Sequence, residues 1–215
     1  MKPKLSVITV GLIFCISIGF GQNESKIKIQ KSELPQSFVK RAEYKVAYTG
    51  SIVWLNGINL GSEYLWKEYL KSKKRRRGGR MNKHQFLLNA NLGFSTNFSS
   101  KTDTGIYTNA GLIWRRTNKK GKQFNIEFNP LGYYRSFLPE TFEVNGDNVE
   151  KVALAGRGYY TPSISVGIGK ERKGKVRSGS YFNVNYTLRT SYNGGNLPAW
   201  YLQYGFRFNF NNKKK

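Results

Sequence analysis

Two glutamates and a scatter of arginines are the first residues in this sequence with the means to do chemistry. Glu63 and Glu127, with Arg115, Arg135, Arg189 and Arg207 as candidate partners, could form buried ion pairs along which ions or protons move. The plainer role is a salt-bridged plug that rigidifies its surroundings, and that is the expectation here. Lys73, Lys74, Arg75, Arg76 and Arg77 form a run of five cations, and Lys119, Lys120, Arg172, Lys173 and Lys175 repeat the theme. Such clusters attract phosphate, whether on nucleic acid or on a membrane surface. Gly169 to Lys175 has the spacing of a phosphate-binding loop, but Val176 stands where Ser or Thr must hold magnesium. His84 is the only histidine, and no spacing of serines and acids around it supports a hydrolytic triad. No catalytic residue, metal or cofactor is expected.

The N-terminus decides which of these roles are open. Lys2 and Lys4 precede an uncharged run from Leu5 to Phe20, and the small or polar Gly21, Gln22 and Asn23 follow. This is the layout of a secretory signal peptide over residues 1–21. An uncleaved anchor is the alternative, but the run falls short of the ~20 residues a spanning helix needs. Cys15 is the only cysteine, with Leu12 three residues before it as in a lipidation signal, yet the bulky Phe14 immediately precedes it. Cleavage after about residue 21 leaves a chain without disulfides or thiolate chemistry. Losing Lys2 and Lys4 takes the formal charge from +24 to +22, and export makes an anionic membrane a better partner than nucleic acid. No nucleic-acid partner is expected.

Residues 22–43 read as a polar leader with room for a short helix, and 44–215 as one domain of strands. In Gln85 to Phe98 the residues Phe86, Leu88, Ala90, Leu92 and Phe94 oppose Gln85, Leu87, Asn89, Asn91 and Gly93, a period of two. The same alternation runs through Ile58 to Leu70, Ile106 to Arg116, Phe124 to Phe137, Tyr160 to Lys170, Tyr181 to Tyr192 and Trp200 to Phe210. Pro130 interrupts the fourth of these and predicts a bulge or bend, because proline cannot donate to the ladder. An eighth strand, Tyr44 to Trp54, is followed by Asn56-Gly57, a hairpin-turn signal that leaves its register open. No later stretch approaches eighteen consecutive apolar residues, so spanning helices are excluded.

One face of these strands is apolar over about 9 to 11 residues, the length of a tilted transmembrane strand. The other carries Asn, Gly, Ser, Thr and Gln with few charges, among them Glu63, Lys67, Arg115, Glu127, Arg189 and Arg207. Such small polar residues suit a narrow interior better than bulk water. Trp54, Trp66, Phe98, Trp114, Tyr134, Tyr160, Trp200 and Phe210 cluster toward strand ends, like an aromatic girdle. The closing segment Leu202-Gln203-Tyr204-Gly205-Phe206-Arg207-Phe208-Asn209-Phe210 resembles the C-terminal strand of small bacterial outer-membrane β-barrels, although Asn211, Asn212 and three lysines follow it.

The resemblance covers roughly residues 44–210 and implies an all-β, antiparallel, up-and-down transmembrane barrel of eight strands, with ten as the alternative. It further implies a Gram-negative outer-membrane location, assembly by the barrel-insertion machinery, and outer-membrane lipids as partners, with any surface or periplasmic partner left open. With the C-terminus periplasmic, the connections 71–82, 117–121 and 171–179 are periplasmic too. Those at 55–57, 99–104, 138–158 and 193–199 are then external. Lys73 to Arg77, Lys119, Lys120, Arg172, Lys173 and Lys175 all fall on the periplasmic rim, while the long outer connection holds Glu140, Glu143, Asp147 and Glu150. The function expected is a structural or surface-interaction barrel with a side-chain-filled interior. A lipid-modifying enzyme is the alternative and a narrow pore the third reading.

Overall fold

The computed structural model describes residues 28–31, 41–51, 55–73, 80–97, 104–138, 141–146, 148–153, 155–172, 177–192 and 195–209. They form twelve strands: β1 (Lys28–Lys31), β2 (Ala42–Ser51), β3 (Leu55–Lys73), β4 (Arg80–Asn97), β5 (Thr104–Asn118) and β6 (Lys122–Phe137). The rest are β7 (Phe142–Asn145), β8 (Asn148–Lys151), β9 (Gly156–Tyr160), β10 (Ser163–Arg172), β11 (Arg177–Tyr192) and β12 (Gly195–Asn209). Neighbours along β3-β2-β12-β11-β10-β6-β5-β4 pair antiparallel, and β3 pairs with β4 to close the ring. The count is eight staves rather than ten, because β9 and β10 both pair with β6 and share one stave. Pro162 lies between them, where its missing N–H interrupts the ladder.

Closure satisfies every edge that an open sheet would leave unpaired, and alternation gives each stave an inner and an outer face. On β10, Ser163, Ser165 and Gly167 are buried while Ile164, Val166 and Ile168 are exposed. Bulges on β6 and on β3 invert this parity partway along the strand. On β6, Asn129 and Pro130 together oppose Gly111, so the exposed positions change from Phe124, Ile126 and Phe128 to Leu131, Tyr133 and Arg135. This is the bulge that Pro130 predicts. On β3, Trp66 is the extra residue between Leu65, opposite Leu87, and Lys67, opposite Phe86. Leu65 points in; Trp66 and Lys67 are both exposed. Lys67 therefore does not share the inner face with Glu63, contrary to strict alternation.

Turns at the two ends differ. The β5–β6 turn is built by Asn118, whose side-chain oxygen accepts from the Lys120 and Lys122 amides at 2.9 and 3.0 Å. The Gly121 amide donates to the Asn118 carbonyl, and Gly121 has φ +78°, open to glycine without penalty. Asn56 and Gly57, read from the sequence as a hairpin turn, lie inside β3 opposite Gly50 and Thr49. Glycine serves close approach there: a Cβ on Gly57 would stand 2.2 Å from the Phe94 carbonyl oxygen. The connection between β6 and β9 carries its own hairpin, β7 on β8, turning at Gly146 with φ +65°.

Of the leader, residues 28–31 form β1, which pairs with Tyr69 to Ser72 of β3 beyond the end of β2. The rest of the expected leader up to residue 40, residues 1–21 read from the sequence as a signal peptide, and the anticipated strand ends Trp54, Phe98 and Phe210 lie outside the described residues.

Candidate functional site

Interior chemistry starts from the buried positions. Among the described residues, eight buried side chains are hydrophobic and twenty-three are polar or charged, while thirty-three large hydrophobics are exposed. That is the reverse of a protein folded around an oily core in water. A small apolar cluster does lie inside: Leu65, Leu87 and Ile113, side by side on β3, β4 and β5.

Next to that cluster lies a knot of charge. Glu63 is wholly buried and meets three cations: Lys45 Nζ at 3.3 Å, Arg207 Nε at 3.1 Å, and the Arg115 guanidinium in direct contact. Arg115 also donates to Glu43 at 2.9 Å and to the Asn125 side-chain oxygen at 3.2 Å. Glu127 lies 3.7 Å from Arg207 and 3.9 Å from Lys45, and accepts from Asn183 at 2.9 Å. Arg207 donates further to Gln123 and lays its guanidinium 4.0 Å above the Tyr181 ring. Three cations (Lys45, Arg115, Arg207) thus face three carboxylates (Glu43, Glu63, Glu127), and the knot is neutral as a whole. Buried ions carry a heavy desolvation cost, and mutual pairing with hydrogen bonds to amides is what offsets it.

The strands explain the convergence. Residues 43 and 45 on β2, 63 on β3, 115 on β5, 127 on β6 and 207 on β12 occupy inner positions of five staves. Several contacts skip a strand: Glu63 to Arg207 crosses over β2, and Arg115 to Glu63 crosses over β4. Gly61 leaves the space, since a Cβ there would stand 2.7 Å from Lys45 Cε and 2.2 Å from the Asn91 side-chain oxygen.

Toward the end of the barrel that carries the β7–β8 hairpin, the interior changes from ions to amides and phenols. Asn91 donates to Asn89 at 3.0 Å and to Asn109 at 2.6 Å; Asn89 donates to Asn129 at 2.9 Å. Beyond them a cavity of about 70 Å³ is lined by Tyr107, Tyr134, Arg189 and Tyr201 and floored by Glu127 and Gln203. That is room for ~5 waters in a polar setting.

The candidates read from the sequence separate accordingly. Glu63, Glu127, Arg115 and Arg207 come together in the knot. Arg189 stands apart, in the half of the barrel that carries the β7–β8 hairpin, 4.1 Å above the Tyr134 ring and 3.4 Å from the Tyr201 hydroxyl. Arg135 is on the outer face, not inside, because the Asn129–Pro130 bulge inverts the parity of β6 before it. Lys119 and Lys120 are exposed in the β5–β6 turn, and Arg172 is exposed at the end of β10. Lys73 ends β3; Lys74, Arg75, Arg76, Arg77, Lys173 and Lys175 lie outside the described residues. Lys45 and Glu43 complete the knot without having been singled out beforehand. The signal for them was the phase of β2, where Tyr44, Val46 and Tyr48 alternate with Lys45, Ala47 and Thr49.

His84 lies on the outer face of β4, stacked on Tyr69 at 5.0 Å with planes 3° apart and tilted against Trp114 at 5.7 Å. Among the described residues no group of three His, Cys, Asp or Glu side chains is arranged to hold a metal ion. No described helix is long and apolar enough to cross a membrane, which bears on helices only. A scan against protein-family models finds no match, and a search of curated proteins finds no similar sequence.

Proposed function

We propose that this chain is an integral outer-membrane β-barrel whose side-chain-filled interior makes it a rigid, non-conducting scaffold rather than a channel or a catalyst. The observation that carries the reading is the inversion of polarity: the closed barrel turns Asn, Ser and paired ions inward and Leu, Ile, Val and aromatic side chains outward. An apolar outer surface on a closed sheet suits hydrocarbon, where every backbone group must be satisfied within the protein. Strands of ten to nineteen residues are long enough to cross at a tilt. Tyr44, Trp114 and Phe124 near one end and Tyr133, Tyr160 and Trp200 near the other suit the two interfaces.

The task of such a scaffold lies at its ends. The β7–β8 hairpin, exposed on both faces and carrying Glu143 opposite Glu150, serves as a surface-contact element. The opposite rim, with Lys119, Lys120 and Arg172, meets anionic headgroups or a periplasmic partner. Assembly into the membrane falls to the barrel-insertion machinery. Full-length protein should fractionate with outer membranes and show a gel mobility that changes on boiling, and an epitope tag placed at Gly146 should be reached by antibody on intact cells. Recovery as a soluble periplasmic protein overturns the reading, and a tag reached only after permeabilisation overturns the orientation.

A further inference from the structure

The Trp66 bulge does more than bend β3. By inverting the parity of the strand it brings Lys67, Tyr69 and Lys71 to the outer face, where uninterrupted alternation would have turned them inward. There Tyr69 is directly opposite His84, and His84 is directly opposite Arg116 on β5. Tyr69, His84, Trp114 and Phe124 form a continuous run of rings across four strands, each in contact with the next. Neighbouring strands are ~4.8 Å apart and residues two apart along a strand ~7 Å. Lys67 and Lys71 therefore flank one end of the ring run and Arg116 the middle, within an area ~10 to 14 Å across.

Among the described residues no carboxylate stands beside these cations on the outer face. Glu68 points inward, where Gln85 donates to it at 2.7 Å. Among the described residues no Asp or Glu occupies the outer positions of β3, β4, β5 and β6 on this part of the wall. Three like charges on a ledge of rings, bordered by the exposed Leu88 and Leu112, call for an anion with an apolar body. Resting on the outer-membrane reading, we propose that Lys67, Lys71 and Arg116 hold the phosphate of an anionic glycerophospholipid in the periplasmic leaflet. Its acyl chains lie along Leu88 and Leu112 and its glycerol region rests on the Tyr69–His84–Trp114 ledge. Lysine and arginine suit this work because their long stems lie along apolar surface while their heads reach the interface. The site belongs to the barrel wall and is separate from the basic turns below it.

The test uses the full-length protein folded into nanodiscs of mixed phosphatidylcholine and phosphatidylglycerol, with native mass spectrometry of the lipids it retains on release. Wild-type protein should retain phosphatidylglycerol preferentially. The preference should fall about fivefold for each charge removed in K67Q, K71Q and R116Q. The turn variant K119Q/K120Q should keep it, and inorganic phosphate at millimolar concentration should not displace the lipid. Boiling-dependent gel mobility establishes that each variant is folded. Equal retention of the two lipids by wild-type protein, equal loss in the turn variant, or displacement by free phosphate overturns the assignment while leaving the barrel in the membrane. Failure of the folded wild-type protein to enter bilayers at all overturns the reading on which it rests.

Discussion

At Glu63 three cations converge on one wholly buried carboxylate, and the consequence of removing it follows from charge balance. Glu63→Gln leaves Lys45, Arg115 and Arg207 with only Glu43 and Glu127, an uncompensated positive charge inside the barrel. Breaking such a pair on one side typically costs ~3 to 5 kcal/mol. The variant should unfold at a markedly lower temperature by circular dichroism, and Lys45→Met added to it should restore part of the loss, because the double change is again neutral. Unchanged thermal stability of the single variant would show that water, not Glu63, balances these cations. Glu127 and Arg207 were legible in the sequence because each stands between two outward apolar neighbours, Ile126 and Phe128 or Phe206 and Phe208, and Glu63 and Arg115 because they fall in phase with the polar face of an alternating strand. Lys45 was not, since Asn56-Gly57 resembles a hairpin turn and leaves the phase of β2 unsettled, whereas it is a point of close strand approach.

Among the elements, the bulges govern which residues meet which surroundings. Eight staves and their approximate ends follow from period-two alternation, a local property of the chain. Parity after a bulge depends on how many residues oppose how many across the ladder, which is a property of two strands together. Pro130 marks its bulge, because a proline cannot donate to a neighbour, yet the displacement of Arg135 to the outer face requires knowing that Asn129 and Pro130 share the single partner Gly111. Nothing comparable marks Trp66, and Lys67 changes face unannounced. β9 and the β7–β8 hairpin were missed for another reason: each strand is only four or five residues long, too short for a run such as Phe142-Glu143-Val144-Asn145 to stand out by its period. The parity of β6 can be checked by single cysteines at consecutive positions. In the folded protein in nanodiscs, Tyr133→Cys and Arg135→Cys should react with a membrane-soluble maleimide, and Tyr134→Cys, buried against Tyr159 and Arg189, should not. Labelling at position 134 with protection at 133 and 135 would mean that the strand keeps its phase through Pro130.

For the molecule as a whole, the question that matters most is which solvent the outer face meets, and two adjacent residues on β12 decide it. Phe206 is 53 % exposed and Arg207 is 4 % exposed, so the strand presents them to opposite sides. If hydrocarbon bathes the outside, Phe206→Arg places a cation against lipid at a cost of ~2 to 4 kcal/mol near the midplane and ~0 to 1 near an interface. If water bathes it, the same change removes an exposed ring and adds a solvated charge, which surface sites accept with little effect. Arg207→Met destabilises in either case, because Glu63 and Glu127 lose a partner in the interior. Arg207→Met therefore reports on the knot, and Phe206→Arg reports on the surroundings. In a membrane barrel both variants should lower the yield of folded, boiling-sensitive protein in bilayers. Glu63→Gln should improve Arg207→Met and leave Phe206→Arg as poor as before, since its defect lies outside the wall. Normal stability and raised solubility of Phe206→Arg without detergent, alongside a damaged Arg207→Met, would mark a barrel of this architecture whose outer face meets water.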